Sequence, residues 1–201
     1  MALQKYAIYY APEPLSDLDR FGAFWLGRDA HGKPVKSFGA VAGIAGYEDL
    51  IEVPRRYGFH GTLKAPFRLA AGVCEADLRQ ALAGYAAHGA VIDTGPLALA
   101  NIGSFMALCP PADVNEKLQK FSGGLVEEFD KFRRPLSDQE IAERNPNRLT
   151  RRQAELLEKW GYPFVFDDFR FHLTLTGRLA APVRERTFTL LKRLVADIET
   201  R

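Results

Sequence analysis

YGFHGTLKAPF (57–67) and FRFHLTLTG (169–177) share one core, Phe-His-x-Thr-Leu. Of the four histidines in the chain, His60 and His172 therefore have matching neighbours at matching offsets. Alternation of apolar and polar residues makes each stretch a β-strand, because successive side chains on a strand point to opposite faces. In the second copy Arg170, His172, Thr174 and Thr176 form a polar row, opposed by Phe169, Phe171, Leu173 and Leu175. In the first, His60, Thr62 and Lys64 form the polar row, opposed by Tyr57, Phe59, Gly61 and Leu63. The motif strands are read over 57–64 and 168–176.

The repeated pair has a chemical use. Histidine titrates near neutral pH, and two of them suit a reaction that needs a base on one side and an acid on the other. Residues two apart on a strand are separated by about 6.6 to 6.8 Å, close to the width of a phosphate group. An imidazole then reaches a reacting oxygen while the threonine hydroxyl donates to a non-bridging one. Phosphoryl transfer, with nucleophile and leaving group roughly in line, fits two such strands facing one phosphorus. His60, Thr62, His172 and Thr174 are the candidate catalytic residues. Lys64, Arg170, Thr176 and Tyr10 are the candidate substrate-binding residues, the two cations offsetting phosphate charge.

Composition narrows the classes. The chain has 201 residues, 47% of them hydrophobic, enough for one sizeable core or two small lobes. A net charge of +2 lacks the basic excess of a dedicated nucleic-acid binder. No run reaches transmembrane length and the N-terminus has no leader pattern, so a cytoplasmic setting without membrane contact is expected. Cys74 and Cys109 form no metal or disulfide framework, and neither a metal nor a cofactor is expected. GRDAHGK (27–33) matches a phosphate loop by letter only. It follows a helix, and Pro34 stands where Ser or Thr would be needed, so it reads as a turn. The arginines from Arg133 to Arg152 alternate with Asp138, Glu140 and Glu143, which favours a salt-bridged exposed face.

Along the chain, residues 5–11 read as a strand, and Ser16 opens a helix through Leu26. Residues 28–46 read as loop with a short strand near Val41. A helix runs from Glu75 to His88, and a hairpin turns near Gly103. Asp113 starts a long amphipathic helix with Leu118, Phe121, Leu125 and Phe129 in its stripe. Thr150 and Gln153 form a capping box for a helix that ends at Trp160-Gly161, and Pro182 opens a last helix.

The paired His-x-Thr strands resemble the two-histidine (2H) phosphoesterase superfamily. The runs YAIYYAP, FWLGRD, RRYGFHGTLKAPF, FDKFRRPL, LTRRQAELLEKWGYP and FRFHLTLTGRL further resemble a bacterial family found in phosphonate-degradation operons. The resemblance implies an α+β, bilobal, pseudo-symmetric fold with two antiparallel sheets around a central cleft and helices outside. Residues 1–201 would form this single domain, each lobe giving one motif strand. It also implies metal-independent hydrolysis of a small cyclic phosphodiester, a ribose 1,2-cyclic phosphate being the substrate suggested by the pathway. The alternatives are RNA-end processing, by 2′,3′-cyclic phosphate opening or 2′–5′ ligation, and a non-catalytic phosphate-ligand-binding module. A small phosphorylated ligand is the expected partner, nucleic acid is disfavoured apart from RNA ends, and the sequence leaves the oligomeric state open.

Overall fold

Helical spacing and strand alternation run through the structure, a computed structural model that describes residues 4–42, 44, 46–144, 146–196 and 198. In chain order the elements are β1 (Tyr6–Tyr10), α1 (Asp17–Leu26), α2 (Phe38–Ala42), α3 (Tyr47–Arg55), β2 (Gly61–Phe67) and α4 (Glu75–Ala87). They continue with β3 (Ala98–Ile102), β4 (Phe105–Cys109), α5 (Ala112–Glu128), α6 (Asp138–Glu143), α7 (Arg151–Trp160), β5 (Leu173–Thr174) and α8 (Ala181–Ala196). The fold is mixed α+β. Its described strands form one five-stranded sheet in the order β1-β2-β5-β4-β3, where two sheets were expected. No described helix is long and apolar enough to cross a membrane.

The chain divides into two compact units. One takes the residues up to 8 together with 63–93 and 115–170; the other takes 9–62, 94–114 and the residues from 171 onward. Both His-x-Thr motifs lie in the second of these.

In that unit α1 buries Leu18, Phe21, Gly22, Trp25 and Leu26, one continuous stripe at helical spacing. Ser16 caps it by accepting from the Asp19 amide at 3.1 Å. Trp25 reaches out of the stripe and donates from Nε1 to the Leu175 carbonyl at 2.7 Å, which ties the helix to the second motif. The segment 28–46 departs from expectation: residues 38–42 are the helix α2, not a strand near Val41. There Phe38 joins a ring cluster with Trp25 and Tyr47.

Helix α3 is absent from the sequence reading although Tyr47, Leu50, Ile51 and Pro54 are all buried at helical spacing. Pro54 reads as a breaker, yet in the last turn its missing N–H has a use. It leaves the Leu50 carbonyl without an intrahelical donor, and that oxygen accepts from the Gly177 amide at 2.7 Å. The motif strands are also shorter than the alternation suggests. The first begins at Gly61, because Gly58 turns the chain at φ 80°. The second is regular only at Leu173–Thr174; just beyond, the amides of Leu175 and Thr176 both donate to the Met106 carbonyl, which breaks the ladder.

The other unit has its own core, in which Ile8, Phe67, Leu78, Leu125, Phe129 and Phe132 are buried together. Its α7 is capped by Thr150 and stopped by Gly161, as the sequence indicates.

Gly22 governs the approach to the first motif. A Cβ there would fall 2.1 Å from Cδ1 of the buried Phe59 ring and 2.6 Å from Phe59 Cβ. Overpacking of this kind costs about 1 to 3 kcal/mol. Gly22→Ala is expected to lower unfolding stability by that order in urea titration; unchanged stability would show that Phe59 has room to move.

Candidate functional site

The site starts from a single register. β2 and β5 are antiparallel with Gly61 opposite Leu173. One step outward on each side, His60 comes opposite Thr174 and Thr62 opposite His172. All four point to the face away from Gly61 and Leu173. Directly opposed side chains have Cβ atoms about 4.5 to 5.5 Å apart, and the diagonal His60–His172 pair is about 7 to 8 Å apart. The array is thus a rectangle with imidazoles on one diagonal and hydroxyls on the other.

The opposite face makes this pairing possible. Phe171 is buried against Gly61, where a Cβ would come within 2.6 Å of its ring. The variable position of the motif is glycine in one copy and leucine in the other for this steric reason.

His60 is half-buried and well fixed. Its Nδ1 lies 2.9 Å from the Gly58 carbonyl, which only accepts, so Nδ1 carries the hydrogen in the neutral ring. Nε2 is then the free lone pair, 3.2 Å from Thr62 Oγ1. Burial pushes the His60 imidazole below the ordinary histidine range; the Gly58 hydrogen bond opposes this, and a charge on His172 pushes the same way as burial. The two rings therefore share one electrostatic environment.

Aromatic rings hold both imidazoles, and the sequence reading missed them. Tyr9 stacks on His60 with centroids 3.8 Å apart and an interplanar angle of 27°, and Tyr57 meets the same ring edge-on at 6.5 Å. Phe105 lies 5.6 Å from the His172 ring. Tyr10, the expected lining residue, packs edge-on against Phe171 instead, and burial pushes its phenol up. The parity of β1 separates Tyr9 from Tyr10, but only pairing within the sheet tells which parity faces the histidines.

The remaining candidates have the following surroundings. Thr176 is buried; its hydroxyl accepts from the Met106 amide at 3.0 Å and donates to the Gly177 carbonyl at 2.9 Å, so it serves the backbone. Arg170 is exposed and belongs to the other unit. Lys64 also belongs there, only 3% exposed, donating from Nζ to the Val126 carbonyl at 3.1 Å and lying 5.4 Å from the Phe67 ring centroid. Burial brings its pKa down to about 8, against the pull of Asp130 and with the push of Arg133. The GRDAHGK stretch is a turn, in which Asp29 Oδ1 accepts from the amides of His31 and Lys33.

Comparison with known proteins adds a family and two relatives. A family model described as "Protein of unknown function (DUF1045)" matches residues 62–201. A "Ribose 1,5-bisphosphate phosphokinase PhnN" of Janthinobacterium sp. (strain Marseille) is 37% identical over 198 residues, covering 95% of this chain and 42% of its own length. One of the same name from Laribacter hongkongensis (strain HLHK9) is 36% identical over 178 residues, covering 87% and 40%. The chain spans about two fifths of the length of these curated relatives. No solved structure gives a significant match.

These names correct the functional expectation. They denote a phosphokinase, which transfers a phosphoryl group, where a metal-independent cyclic phosphodiesterase, a hydrolase, was expected. RNA-end processing and a non-catalytic binding module do not match them either.

Two measurements test this geometry. Replacing His172 removes a neighbouring charge, so the His60 pKa followed by NMR is expected to rise toward the ordinary histidine value in His172→Ala; no change would separate the rings. For Lys64 the folded chain binds its proton less tightly than the unfolded one, at about 8 against 10.5. Within that window the unfolded chain carries more protons, so stability rises with pH; below it the folded state bears the cost of a buried ammonium. Urea titration from pH 7 to 10 should show this rise in the wild type and lose it in Lys64→Met.

Proposed function

This chain belongs to the DUF1045 family, and we propose that its His–Thr face serves phosphoryl transfer on a phosphorylated ribose in phosphonate metabolism. The observation that supports the reading is the Gly61–Leu173 register, which brings two imidazoles and two hydroxyls onto one face of the paired strands. The ligand class is the one in the name of the longer relatives, ribose 1,5-bisphosphate. The phosphonate setting agrees with the operon-family resemblance of the sequence, and a cytoplasmic location belongs to the same proposal. On this reading the likeness to the two-histidine superfamily lies in the paired motifs and their arrangement, not in a hydrolytic step.

His60 acts as the proton acceptor. Its ring is neutral at pH 7 with the hydrogen on Nδ1. Nε2 then takes the proton of the attacking ribose hydroxyl as that oxygen bonds to the γ-phosphorus of a nucleoside triphosphate and the nucleoside diphosphate departs. Thr62, at that nitrogen in the ligand-free site, yields its place to the hydroxyl and turns to a phosphoryl oxygen. His172 and Thr174 donate to the remaining oxygens, where charge spreads in the transition state. Tyr9 fixes the plane of the His60 ring by stacking.

Phosphorus NMR tests the proposal with the chain, ribose 1,5-bisphosphate and a nucleoside triphosphate as donor. Transfer is expected in the wild type and should fall by about 10²- to 10⁴-fold in His60→Ala. Thr174→Val, which removes one hydrogen bond to a charged group, is expected to weaken sugar-phosphate binding about tenfold. Absence of transfer in the wild type, or equal rates and affinities across the variants, overturns it.

A further inference from the structure

The unit that lacks the two motif histidines contains a cavity of about 540 Å³, a size typical of small-molecule sites. Its walls carry five cations, Lys5, Arg68, Arg133, Arg134 and Arg144, against two carboxylates, Glu140 and Glu143. Such an excess at one concave surface is costly unless an anion offsets it.

The internal pairing leaves donors over. Glu140 bridges two guanidinium groups, with Arg68 at one oxygen and Arg134 at the other, the latter at 2.7 Å. Arg133, whose side chain is 7% exposed, is held by Asp130 at 2.7 Å and by the Lys159 carbonyl at 2.8 Å. Arg144 donates to the Gly161 carbonyl at 2.8 Å. After these bonds Nε of Arg68, Nη1 of Arg133 and Nε of Arg134 are buried donors with no partner. Native interiors rarely leave such groups unsatisfied. Arg68 and Arg134 keep 27% and 39% of their side-chain surface accessible, so both side chains reach the cavity surface beside these donors.

We propose that this cavity binds a small, multiply charged phosphate compound, one with two closely spaced phosphate groups. Arginine forks match phosphate oxygens in pairs, and several forks converging from different segments select a polyanion over a single charge. Glu140 holds Arg68 and Arg134 in place between ligands, while Glu143 at the wall opposes the anion. None of the cavity's residues belongs to the His–Thr face, and the proposal does not depend on how that face works.

Isothermal titration of the full chain with inorganic pyrophosphate tests it. The expected result is saturable one-to-one binding, tighter than for inorganic phosphate, weakened about tenfold in Arg134→Gln and less so in Arg134→Lys. Glu143→Gln should tighten binding, a direction that a damaged fold cannot produce. His60→Ala should leave it unchanged. No saturable binding, equal affinity for phosphate and pyrophosphate, or binding lost in His60→Ala and kept in Arg134→Gln would each overturn the proposal.

Discussion

The pairing of Gly61 with Leu173 is the constraint on which the site rests. Position 61 has no side chain, and the Phe171 ring occupies the space a Cβ would take. The strands can then approach in the one register that puts each histidine opposite a threonine. Any antiparallel pair has a local twofold axis, here between Gly61 and Leu173. The near-symmetry of the two motifs follows from that axis. A slip of one residue would put the histidine of the slipped strand on the face opposite to its partner's.

This short pairing is braced from outside. β5 is regular over two residues only, yet the backbone beyond it is held at three points. Trp25 donates to the Leu175 carbonyl, the Thr176 hydroxyl receives the Met106 amide, and the Gly177 amide reaches the Leu50 carbonyl freed by Pro54. Each bond contributes about 0.5 to 1.5 kcal/mol net. Their common effect is to fix the chain immediately after His172 and Thr174. Thr176 therefore acts on the site through the backbone, which explains its presence in the polar row.

The expected hydrolase and the phosphokinase named in the relatives call on related chemistry. A base, hydrogen-bond donors and an in-line approach serve attack on phosphorus by water or by a sugar hydroxyl alike. On the proposed reading the motif supplies groups suited to phosphorus and is silent on the nucleophile. Function follows the substrate that the rest of the protein delivers, which a motif does not encode.

Local signals in the sequence determined the elements with strong periodicity or a clear cap: α1 after Ser16, α7 between Thr150 and Gly161, the hairpin around Gly103 and the two alternating His-x-Thr stretches. They also determined that both histidines carry a hydroxyl two residues on, because strand parity is a property of the chain itself. Tertiary structure decided what depends on a partner distant in sequence. It made a helix of α3 by giving Leu50 an acceptor role toward Gly177, and it buried Lys64 beneath the Val126 carbonyl instead of leaving it on the polar row. It also chose Tyr9 over Tyr10 as the ring on His60. Parity along one strand says which residues share a face; only the neighbouring strands and helices say what that face meets.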